Sequence, residues 1–170
     1  MNRLITVLLP LCLLTPGGAV QQKKHARQEQ FVVEKFNFDW FVAEAGEAKL
    51  MVNKTHETTR IVIIEGGLSG DILWLVPEEA ESVGNALADT DRYFASMRNA
   101  EFDTSKELDA GRYTVRFHFS KEHGFSVTVA KKERFGGRSI LLARETANAF
   151  RPHLLKATSM ASFIDNRIRF

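Results

Sequence analysis

Arg112, Arg116 and His118 fall on one phase of an alternating segment whose other phase is Tyr113, Val115, Phe117 and Phe119. Cations repeated along one side of an extended chain suit a row of phosphates, because each Lys or Arg that meets a phosphate releases a counterion. Lys131, Lys132, Arg134 and Arg138 follow close behind and would extend that positive surface along its rim. Lys121 and Phe125 flank a polar turn with a glycine, Gly124, between them. A ring placed beside a cation there could stack an unpaired base, worth about 1–3 kcal/mol. These nine residues are the candidate nucleic-acid-binding set. A structural reading stands beside each of them, with the charges as a solvated sheet face and the rings as core. Phe117 and Phe119 read as core. Phe125 keeps the apolar phase of Val127 and Val129, which also points inward.

Patterns that could support catalysis do not hold together. Gly67-Leu68-Ser69-Gly70-Asp71 lacks the closing glycine of a nucleophile elbow and reads as a hairpin connection. No Gly-Lys-Ser/Thr follows these glycines, so they do not form a phosphate-cradling loop. His118 and His123 lack a surrounding carboxylate pattern, and the single cysteine, Cys12, excludes a cysteine-based zinc site. Glu78 and Glu79 sit where acids favour a helix start. The expectation is a protein that is not an enzyme and carries no metal or cofactor.

The candidate residues must be held by strands, and the chain supplies these in two similar sets. Sliding the sequence against itself at an offset of 67 aligns Leu75, Glu78, Ala80 and Leu87 with Leu142, Glu145, Ala147 and Leu154. Gly70 falls on Gly137, and Lys54 and His56 fall on Lys121 and His123. In the first copy, period-two runs start at Phe36 and Ala48, followed by apolar runs at Arg60–Ile64 and Ile72–Val76. In the second copy, Tyr113–Ser120 and Phe125–Ala130 alternate cleanly, and Ser139–Ala143 follows Gly136 and Gly137. Pro77 suits a first helical position, and Ala80, Val83, Leu87, Phe94 and Met97 form one stripe. Ala147, Phe150, Leu154, Ala161 and Ile164 repeat that stripe, with Pro152 expected to kink or split the helix. The fold expected is α+β, two ββββα repeats packed as an intramolecular pseudo-dimer. Each antiparallel sheet would put one face into a shared core and leave the other open.

The repeats bracket a marked charge asymmetry. Residues 31–98, the first repeat, hold 6 basic and 12 acidic side chains; residues 99–170, the second, hold 13 basic and 8 acidic. The formal net charge of +2 therefore conceals an acidic half and a basic half. Residues 1–30 form a leader and basic linker: a basic start, an apolar stretch from Leu4 to Leu14, and no acid before Glu29. Those are parts of a secretory signal peptide, while the shortage of acids also fits an organellar presequence. No apolar run is long enough for a transmembrane helix in the mature chain. Asn53-Lys54-Thr55 is a glycosylation sequon on an expected turn.

The segment Gly111–Lys132, continuing through Arg138-Ser-Ile-Leu-Leu to Ala149-Phe-Arg-Pro-His-Leu, resembles the purine-rich element-binding (PUR) repeat, two of which intertwine into one domain. Lys121, Gly124, Phe125, Phe150 and Arg151 match its pattern of a strand, a polar turn with Gly before an aromatic, a fourth strand, and a helix carrying an aromatic-Arg pair. The first copy departs from it, with Val83-Gly84 in place of Phe-Arg. The Whirly family and the kinetoplastid mitochondrial guide-RNA-binding proteins share the doubled ββββα plan. The resemblance implies non-catalytic binding of single-stranded RNA or DNA on the sheet and its ridges. Its setting would be a mitochondrial RNA-processing complex, with the acidic first repeat turned toward protein partners. The alternative is a secreted or periplasmic β-rich protein-interaction module.

Overall fold

The computed structural model describes residues 36–66, 70–133 and 137–168, so the leader, Ser69 and Arg134 lie outside the described residues. The doubled ββββα plan is present. In the first half β1 (Asn37–Ala45), β2 (Ala48–Thr55), β3 (Thr59–Ile64) and β4 (Ile72–Leu75) form a sequential antiparallel sheet. It is followed by α1 (Pro77–Ala86), a 3₁₀ turn (Leu87–Asp89) and α2 (Thr90–Met97). The second half repeats the order with β5 (Thr104–Ala110), β6 (Tyr113–Ser120), β7 (Gly124–Lys131), β8 (Ser139–Leu142), α3 (Arg144–Leu154) and α4 (Ala157–Arg167). Strand β5 escapes a reading by alternation. Its sequence Thr-Ser-Lys-Glu-Leu-Asp-Ala carries three charges and is held in the sheet by pairing with β6.

The helices are exchanged between halves. α2 packs on β6 and β7 and α4 on β2 and β3, each on the opposite half's sheet. α1 and α3 lie between the sheets, α1 against β5 and β6 as well as its own β3 and β4, and α3 against β1 as well as its own β7 and β8. One buried cluster consequently runs through both halves, joining Leu50, Val52, Ile61 and Leu75 to Val115, Phe117, Val129, Phe150 and Leu154. Burial of this apolar surface is the main stabilising term. Neither sheet could bury its inner face with its own helices alone.

The first β-hairpin of each half also docks on the opposite half's helix start. The turns at Gly46 and Gly111 need positive φ (61° and 73°), which glycine adopts without a Cβ clash. Beside the first turn, Thr146 on α3 donates to the Ala45 carbonyl at 3.3 Å. At the second, Arg112 bonds Glu79 on α1. Glu79 also accepts the Val76 N–H at 3.0 Å, closing the first turn of its own helix. Asp165 on α4 ties the second half to the first sheet through Thr59 and through Lys54 at 2.9 Å.

Pro152 does not split its helix. It lies inside α3, and the break follows at Leu155–Lys156. The first half breaks at the corresponding place, Leu87–Asp89, with no proline there. The cause is therefore tertiary: the chain turns where α1 and α3 cross, around Leu87 and Leu154, both fully buried. Gly84 sits at this crossing, where a Cβ would meet the Leu154 Cβ and the Leu155 nitrogen at 3.0 Å. This accounts for Val83-Gly84 standing where the second half has Phe150-Arg151. A Gly84→Val protein is expected to lose about 1–3 kcal/mol of stability in chemical denaturation, because the crossing must open to admit the side chain.

The sequon reading is corrected. Asn53 lies within β2 rather than on a turn, only 4% exposed, and its Nδ2 donates to Asn37 and Asp39 at 2.6 Å each. A glycan on that nitrogen is incompatible with this fold. The equivalences at Lys54 and His56 also shift. Counting register back from Leu75 and Leu142 sets Val52 level with Phe117, so that Lys54 answers Phe119 rather than Lys121, the connections on either side of β3 and β7 differing in length.

Candidate nucleic-acid interface

The open face of the second sheet follows from strand register. Glu107, Arg116, Thr128 and Leu141 form one row across its four strands. Ser105, His118 and Ser126 form a second row, and Asp109, Thr114, Ala130 and Ser139 a third. Arg116 and half-buried His118 thus share the face, as their phase requires. Carboxylates share it too: Arg116 pairs with Glu107. Lys132 reaches back to Asp109 and to the Gly111 carbonyl at 2.8 Å. That ammonium, with the Gly111 N–H, holds the Asp109 carboxyl below its ordinary range. The expected cationic stripe is accordingly a charge-compensated face. β5 contributes both acids, and its register became visible only in the folded sheet.

Arg112 leaves the stripe altogether. It sits in the turn before β6, and its bond to Glu79 raises the guanidinium pKa further above its ordinary value. Phe125 is on the inner side, ring-packed 5.4 Å from Phe94 and 6.4 Å from Phe117. It does not form an outward pair with Lys121. Exposed Lys121 has no ion-pair partner among the described residues.

The predicted cations that converge do so elsewhere, in a cleft of about 430 Å³ between the halves. Arg112, Lys131 and Arg138 line it from the second half, and Arg60 and Trp74 from the first. Glu79 and Glu133 are its acids, paired with Arg112 and Lys131. Four cations against two carboxylates leave the cleft positive. Arg60 and Arg138 are exposed and have no ion-pair partner among the described residues. Buried Tyr113 fixes the geometry by donating to the Trp74 carbonyl at 2.8 Å. Burial pushes its phenol pKa up, so it remains a donor at neutral pH.

Trp74 also ends a row that sequence reasoning missed. On the outer face of the first sheet Phe41, Met51, Val62 and Trp74 form a row across β1 to β4, exposed at its two rings and buried at Val62. Phe41 is 52% and Trp74 37% exposed. In the second sheet the corresponding row is Glu107, Arg116, Thr128 and Leu141, so rings and cations have been divided between the two halves. The signal was present in the alternation of Ile72-Leu73-Trp74-Leu75, where Trp74 falls opposite to Leu73 and Leu75. Arg60 had no such signal, since its value depends on the second half lying beside it.

No family model matches this chain, and no curated protein matches it. Among the described residues no group of three or more His, Cys, Asp or Glu could hold a metal ion. Among the same residues no helix is long and apolar enough to cross a membrane.

Proposed function

We propose that the protein binds single-stranded nucleic acid, RNA in the first instance, at the cleft between its halves and without catalysis. The observation that carries this reading is the convergence of Arg60, Arg112, Lys131 and Arg138 around the exposed ring of Trp74. The cations would neutralise phosphates, and the ring offers a face to an unpaired base. Lys121, Arg116, His118 and Lys132 would extend the contact along the second sheet. The ion pairs of Arg116 and Lys132 are no obstacle, because exposed pairs contribute only about 0–1 kcal/mol and a phosphate can take the carboxylate's place. The resemblance to PUR repeats supports a mitochondrial RNA-processing assembly as the setting, whereas the leader, with the parts of a secretory signal peptide, favours the secreted or periplasmic alternative.

The test is a salt titration of binding to a short single-stranded RNA. Affinity should fall steeply with salt, with a log–log slope of about −3 for four neutralised phosphates. Trp74→Ala should weaken binding by about 5- to 150-fold, the equivalent of one lost stacking contact, while leaving that slope unchanged. Absence of binding at low salt would remove the proposal.

A further inference from the structure

We infer that the outer edge of β1, which no other described strand pairs, is a self-association surface where a second copy of this chain pairs strand to strand. The two halves provide the comparison. β1 and β5 are the outer strands of their sheets at equivalent positions, and among the described residues no further strand pairs with either. Edges of this kind are normally blunted by charge, and β5 is: register places Lys106 opposite Phe117 on its inner side. The corresponding residue of β1 is Trp40, opposite Val52. The helix over the strands next to each edge differs in the same direction, α4 lying on β2 and β3 and α2 on β6 and β7. On α4, Phe163 lies 5.8 Å from Trp40, whereas the equivalent position of α2 is Ser96. Phe38 continues the ledge in place of Thr104. Trp40 is 38% and Phe163 48% exposed, with Arg167 stacked on the Phe163 ring at 4.7 Å. One edge of the pseudo-dimer thus carries a charge, and its counterpart is aromatic on the strand and on the helix over the neighbouring strands, whose Phe163 reaches Trp40.

The occupant follows from the chemistry. Unpaired N–H and C=O groups select another extended strand, and the ledge selects an apolar one. A second copy supplies both in one symmetric, isologous contact. Antiparallel pairing of β1 with itself would join two four-stranded sheets into eight strands and set Phe38 and Trp40 against their counterparts. Asp39 points to the opposite face, where Asn53 already holds it. A nine-residue strand is about 30 Å long, and a sheet with its helix layer is about 20 Å deep. The pair would bury about 1,200 Å² in total, the lower bound for a stable, specific interface. This inference is independent of the nucleic-acid reading.

Sedimentation of the full chain between about 1 and 100 µM should show a reversible monomer–dimer equilibrium. Trp40→Lys installs the residue type that the second half already tolerates in this position, and should weaken dimerisation at least about 10-fold. Lys106→Glu should leave it unchanged. As a check that needs no variant, amide exchange at Phe38–Val42 should slow as concentration rises, while exchange at Thr104–Ala110 does not. A chain that stays monomeric, including one whose own residues 1–35 cover the edge, overturns the inference. So does a dimer that survives Trp40→Lys or leaves β1 exchange unaltered.

Discussion

Reversing Arg60, Lys131 and Arg138 together to glutamate is expected to weaken binding of a single-stranded RNA by about 100- to 1,000-fold near physiological salt. The three residues come from β3, β7 and the segment before β8, yet they line one cleft. Each reversal removes a phosphate contact and adds a like charge beside the backbone. The log–log salt slope should therefore also shrink, by about 2 for three lost contacts at about 0.7 each. Arg112 is left out because it holds Glu79 at the start of α1, so its loss would mix binding with folding. The folded state should tolerate the triple change: Arg60 and Arg138 have no ion-pair partner among the described residues, and Lys131 pairs with Glu133 at the surface. Filter binding and circular dichroism on the same preparation separate the two effects. An affinity and slope equal to those of the unmodified protein would mean that the cleft is not where the polynucleotide lies.

Phe150→Ala is expected to cost about 3–5 kcal/mol, the largest stability loss of any single change considered. The side chain is fully buried, belongs to α3 of the second half, and lies in the cluster that includes Leu50, Val52 and Leu75 of the first. Because the helices are exchanged, the cavity cannot be confined to one half. The protein should unfold in one cooperative step at a lower denaturant concentration, with both halves melting together. A fluorescence probe at Trp74, in the first half, should report the same midpoint as far-ultraviolet circular dichroism. Two separated transitions would show that the halves are independent units. RNA binding should fall with the folded fraction, since the cleft exists only while the halves are clasped.

Much of this architecture is legible along the chain. Tyr113, Val115 and Phe117 alternate with Thr114, Arg116 and His118 because a pleated strand gives successive side chains to opposite faces. The core phase read from them is the buried phase observed. Leu87 and Leu154, aligned by the repeat, are both fully buried where the helices cross. β5 was not legible, because its place in the sheet depends on β6 rather than on apolar residues of its own. The same strand altered the site, as its Glu107 and Asp109 compensate Arg116 and Lys132.

Period, repeat length and the choice of inward side chains were thus determined locally, by strand and helix geometry acting on neighbours a few residues apart. Which cation meets which acid, where Trp74 finds Arg60 and Arg138, and which strands form the sheet edges were decided only by tertiary structure. The reason is distance along the chain. Arg112 and Glu79 are 33 residues apart, and the cleft walls come from different halves. Coulombic and stacking partners depend on separation in space, which the exchange of helices between the sheets sets.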